Sequence, residues 1–123
     1  MHFLYVFIGG GLGAVTRYGL SLLIAPSSKG FPYQTLAANV VSSFILGYLM
    51  AHFVGKDYTT QTKLLLATGF CGGFSTFSTF SAETFQLINN NQVMMALSYI
   101  TVSIVLCLLA IWMGFLSSKL LHT

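Results

Sequence analysis

Four apolar stretches, each long enough to cross a bilayer, follow one another in a 123-residue chain with only short connections between them. A crossing helix takes about 20 residues, so four crossings consume nearly everything and leave no room for an extramembrane domain. The expected spans are 3–25, 33–53, 63–88 and 93–118, forming one all-α integral membrane domain. Charged residues make up 6% of the chain and apolar ones 55%, whereas soluble domains are about 25% charged. The net charge of +3 comes mainly from lysines near span ends, which suits membrane placement and not nucleic-acid binding. The first apolar stretch lacks a basic leader and a small-residue cleavage pattern, so it reads as a retained helix.

The third span holds the most informative residues, GFCGGFSTFSTFSAE at 69–83. Gly69, Gly72 and Gly73 lower the cost of leaving helical geometry, and Ser75, Thr76, Ser78, Thr79 and Ser81 supply hydroxyls for backbone groups that a break sets free. A broken helix is therefore expected. Irregular backbone at membrane depth is tolerated only where protein buries it or a wet cavity meets it, and such breaks mark ion or substrate sites. Phe77 and Phe80 share a face of the helix that resumes. The electron-poor edges of their rings can approach a small anion, beside the hydroxyls of Ser75, Ser78 and Thr79.

Asn39 and Thr35 place amide and hydroxyl groups on the second span, one turn apart, with Ser42 and Ser43 beyond them. An interhelical hydrogen bond and a place in a pathway are both open to Asn39. Arg17, deep in the first span, must face protein or water; a vestibule and a snorkelling anchor both satisfy that. Gly9, Gly10, Gly11 and Gly13 read as helix-packing positions. Glu83 is the one carboxylate inside a span, read as structural, with a proton or cation site as the other possibility. Tyr99, Ser103 and Cys107 recur every four residues and line one face of the fourth span.

The remaining residues read plainly. PSSKGFP at 26–32 is a turn, NNNQ at 89–92 a connection, and Trp112 an interface or packing residue. His52, Lys56, Asp57 and Lys63 are interfacial, and His2 and His122 have no metal-ligand company. Cys71 and Cys107 show neither disulfide nor metal spacing. No nucleophile with its base, phosphate loop or acid/base pair is visible, so an enzyme is not expected.

GFCGGFSTFSTFS at 69–81 resembles the signature of the Fluc, or CrcB, fluoride channels, and GGGLGAVTRY at 9–18 and TLAANVVSSFILG at 35–47 agree with it. The resemblance implies a passive, fluoride-selective channel in the cell membrane that lets fluoride leave the cytoplasm and so limits its toxicity. It implies an antiparallel homodimer of oppositely inserted subunits. The chain's weak lysine bias is compatible with that, with Lys56, Lys63 and Lys119 on one side and Lys29 and Arg17 on the other. It places Asn39, Thr35, Phe77, Phe80, Ser78, Thr79, Tyr99 and Ser103 on the fluoride pathway and Arg17 at an aqueous vestibule. It further implies a structural sodium ion between subunits, held by backbone carbonyls at Gly72 and Ser75. Ser75 stands where threonine is frequent, and Cys107 where a hydroxyl is expected. Two rivals remain: a coupled exporter of the small multidrug type, which would need Glu83, and a non-conducting subunit of a larger assembly.

Overall fold

Helices form every regular element in the computed structural model, which describes residues 1–26, 28, 30–54 and 56–121. Helix α1 is His2–Leu23 and α2 is Tyr33–Phe53. A third helical run, α3, covers Thr60–Lys63, a π-helical stretch Leu64–Cys71 and a last turn Gly72–Phe74. After a break come α4, Phe77–Asn89, and α5, Val93–Leu121. Helices α1, α2 and α5 are each long and apolar enough to cross a membrane; α3 and α4 together make the remaining, broken crossing.

Ser75 and Thr76 alone leave the helix between α3 and α4, with ψ of 159° and 121°. The break therefore falls on the hydroxyl pair and not on the glycines: Gly69, Gly72 and Gly73 keep helical geometry. Gly69 and Gly73, with Gly9 and Gly13 of α1, serve close approach instead. A Cβ at Gly9 would run into the Leu65 carbonyl, one at Gly13 into the Phe70 carbonyl, and one at Gly73 into the Gly10 carbonyl. In lipid, where apolar burial gives helices little reason to associate, such backbone proximity is what draws them together. Helix α1 thus lies parallel to α3 with the backbones nearly touching.

Helices α2 and α5 repeat the device. A Cβ at Gly47 would strike the Ile111 carbonyl and one at Gly114 the Phe44 carbonyl. The chain runs up and down four times, and each parallel pair skips a sequence neighbour. Between the pairs, Ser42 Oγ donates to the Cys71 carbonyl at 3.0 Å, tying α2 to α3.

One buried apolar cluster joins Leu36, Leu87, Ala96 and Tyr99, with Phe31, Val40, Phe80 and Met95 packed against it, while Ala38, Cys71, Phe74 and Ala110 are buried elsewhere. Large apolar side chains such as Phe3, Phe7, Leu108 and Trp112 point outward, the arrangement of a bundle whose solvent is hydrocarbon. Within the turn at 26–32, Ser27 and Lys29 lie outside the described residues, as does His122. The expectations that used Lys29 for charge bias and His122 for the absence of a metal site fall there.

Candidate functional site

The break is organised by Asn39. Its Oδ1 accepts the Thr76 N–H at 2.8 Å and its Nδ2 donates to the Thr76 carbonyl at 3.2 Å. One carboxamide thereby satisfies both backbone groups of a residue that has left the helix, removing the cost of burying them bare. The interhelical bond open to Asn39 from sequence exists, and its partner is backbone. A carboxamide carries two N–H hydrogens, so among the described residues one is left without a partner, on a residue that lines the cavity described next.

Thr76 also starts α4: its Oγ1 accepts the Thr79 N–H at 3.2 Å, an N-cap. These bonds leave carbonyls over. Helix geometry would pair the Gly72 carbonyl with the Thr76 N–H and the Ser75 carbonyl with the Thr79 N–H, but Asn39 and the Thr76 hydroxyl have taken those donors. Space beside Gly72 is open, with no atom within 4 Å of a Cβ built there. Carbonyls released from the helix ladder are the kind of oxygen a hard monovalent cation prefers, so the Gly72 and Ser75 carbonyls are chemically suited to one.

On the α5 side of the break lies a cavity of about 270 Å³ lined by Asn39, Ser43, Phe77, Phe80, Ser103 and Cys107 among others. The two phenyl rings sit with centroids 5.6 Å apart, tilted by 40°. Ser103 is buried, and its Oγ has no hydrogen-bond partner among the described residues. A buried hydroxyl without a partner costs on the order of 1–3 kcal/mol.

Thr35 and Tyr99 go elsewhere. The Thr35 hydroxyl donates to Glu83 Oε2 and the Tyr99 hydroxyl to Glu83 Oε1, both at 2.9 Å. Tyr99 is fully buried, with its ring 4.9 Å from that of Phe80. Glu83 thus faces a second cavity, of about 180 Å³, that Arg17, Gln34, Thr35, Thr76 and Thr79 also line. Arg17 Nε donates to the Gly73 carbonyl at 3.3 Å, placing a cation at the negative end of α3. Ser78 is exposed, with its hydroxyl 3.3 Å from Thr76 Oγ1.

The expected pathway residues therefore divide. Asn39, Phe77, Phe80 and Ser103 share one cavity with Cys107; Thr35, Thr79 and Arg17 share the other, where Tyr99 reaches Glu83; Ser78 lines neither. Sequence gave Ser43 only a place in a polar strip, and it gave Gln34 no mark. The Gln34 amide caps α1 by donating to the Ser21 and Ile24 carbonyls, a role that only the tertiary fold reveals.

Comparison with known proteins agrees with this architecture. Residues 4–115 match the family model described as CrcB-like protein, Camphor Resistance (CrcB). A protein of Pyrococcus horikoshii named fluoride-specific ion channel FluC is 44% identical over 91% of each chain. Its namesake from Pyrococcus furiosus is 45% identical over 93% of each, and the one from Elusimicrobium minutum 40% identical over 97% of this chain and 94% of its own. With its family model matched over most of its length, this chain belongs to the CrcB family of multi-pass membrane proteins.

Proposed function

We propose that the chain is a fluoride channel of the cell membrane that lets the ion run passively out of the cytoplasm, and that two copies inserted in opposite senses form the conducting unit. The observation that carries this is the cavity in which the unspent Ser103 hydroxyl and the remaining Asn39 N–H sit beside the rings of Phe77 and Phe80. Near-identical length and 40–45% identity to proteins named fluoride-specific channels support it. An anion leaving water needs donors that have no other partner, and ring edges complete a shell that hydroxyls alone cannot close. The larger, more weakly hydrated chloride gains less from such a narrow donor set.

The pathway residues act at two levels in this reading. Asn39, Ser103, Phe77 and Phe80 meet the ion, while Thr35, Thr79, Tyr99 and Ser78 line or support the approaches. Arg17 lends positive potential to the cavity it lines, which concentrates anions. A second subunit accounts for Phe77, which is 78% exposed on the isolated chain although it lines the cavity. The Gly72 and Ser75 carbonyls would hold a sodium ion where the two breaks meet, and the ion would supply a fixed positive charge and a structural tie. Nothing in the geometry supports a coupled exporter. Glu83, the carboxylate it would need, is engaged by two hydroxyl donors.

The test is fluoride efflux from liposomes holding the purified chain, with chloride as comparison. Fluoride release that requires a potassium ionophore, with chloride retained, is expected. Retention of fluoride by well-reconstituted protein refutes the channel reading.

A further inference from the structure

Where α2 and α5 end on the same side of the bundle, a cavity of about 280 Å³ opens between them, lined by His52, Lys56, Phe115, Ser118 and Lys119 together with small apolar residues. Its two lysines come from different elements, one just beyond α2 and one in the last turn of α5. Among the described residues no carboxylate lines it: Glu83 lies at the far end of α2 beside Thr35, and Asp57 is exposed outside the lining. The Lys119 ammonium is steered over the Phe115 ring, 5.1 Å from its centroid. Beside the cavity, Tyr48 stacks on His52 at 5.9 Å and Phe53 packs on Tyr58 at 4.9 Å. Such an aromatic cluster at helix ends belongs at headgroup level.

We propose that this cavity seats the phosphate of an anionic phospholipid. Lys119 alone could be explained as a cation complementing the negative end of α5; the convergence of Lys56 on the same space from a separate loop is not explained that way. Basic pockets between membrane helices at the interface recognise anionic headgroups. The apolar part of the lining, from Val54 and Phe115, suits the root of the acyl chains more than a free soluble anion. The site's α5 residues lie roughly three to four turns beyond Ser103, and the site does not depend on the channel reading.

Trp112, the sole tryptophan, is exposed and precedes Lys119 by seven residues, about 10 Å along one helix face. Its fluorescence in vesicles of brominated phosphatidylglycerol, brominated phosphatidylcholine or mixtures of the two reports which lipid sits there. The anionic lipid should quench it preferentially, with the preference falling about fivefold for each lysine removed in Lys119→Gln and Lys56→Gln/Lys119→Gln. The Lys56→Arg/Lys119→Arg chain should keep the preference. Equal quenching by both lipids in the parent, a preference that survives the double glutamine change, or loss of preference on adding free inorganic phosphate would each overturn the proposal.

Discussion

Two polar places, a few residues apart in the same bundle, treat their hydrogen bonds in opposite ways. At Glu83 every available donor is matched: Thr35 and Tyr99 each give a hydroxyl to one carboxylate oxygen. At Ser103, one helical turn along α5 from Tyr99, the hydroxyl is buried and unmatched among the described residues. The closed cluster stabilises the bundle, because breaking one of its bonds strands a buried polar group. The open one costs stability and keeps a donor available. A four-residue repeat of polar side chains on one helix face therefore does not mean one shared role; what each side chain meets decides.

The largest expected effect lies at Asn39, which belongs to both kinds of place. Asn39→Ala removes both bonds to Thr76 and the spare donor at once. Ion flux should fall by more than about tenfold, and thermal stability should drop by about 2–3 kcal/mol, from two lost bonds at about 1 kcal/mol each plus the stranded N–H. Flux by ion-selective electrode and unfolding by differential scanning fluorescence read the two separately. A variant with full flux would detach the break from the pathway.

Phe80→Ile stays apolar with a somewhat smaller side chain and removes the ring edge. Flux should fall about tenfold with little loss of stability if the edge contributes roughly 1 kcal/mol or slightly more to holding the ion. Normal conduction would remove Phe80 from the ion's shell.

Thr35→Val and Ser103→Ala sharpen the contrast most cleanly, since each deletes one hydroxyl. Thr35→Val should cost about 1–2 kcal/mol of stability by leaving Glu83 half-matched, whereas Ser103→Ala should leave stability unchanged or slightly raised and lower flux severalfold. Equal stability losses from the two would erase the distinction. Smaller still is Glu83→Gln, whose amide can still accept one hydroxyl while the other turns to accept: electrogenic fluoride flux should persist. Its abolition, with the protein still folded, would revive coupling through a carboxylate.

The crossings, the break in the third of them and the pairing of Phe77 with Phe80 are all legible in sequence, because bilayer thickness and helical period act on local residues. The exact position of the break was not. Glycines mark where a helix can yield, but Gly69 and Gly73 face Gly9 and Gly10 across α1, and that demand for close approach holds them helical. The chain yields at Ser75 and Thr76 instead, because Asn39 meets the N–H and carbonyl of Thr76 and the Thr76 hydroxyl takes the Thr79 N–H to start α4. The same limit applies to Tyr99, whose spacing aligns it with Ser103 while its hydroxyl reaches Glu83 on another helix. Spacing fixes a face; partners come from the packing of distant segments.

The most direct measurement of the central claim is the reversal potential of currents through the purified chain in planar bilayers with opposed fluoride and chloride gradients. A fluoride-selective channel reverses at the fluoride equilibrium potential; reversal toward the chloride potential, or the absence of any current from incorporated protein, would overturn the channel reading.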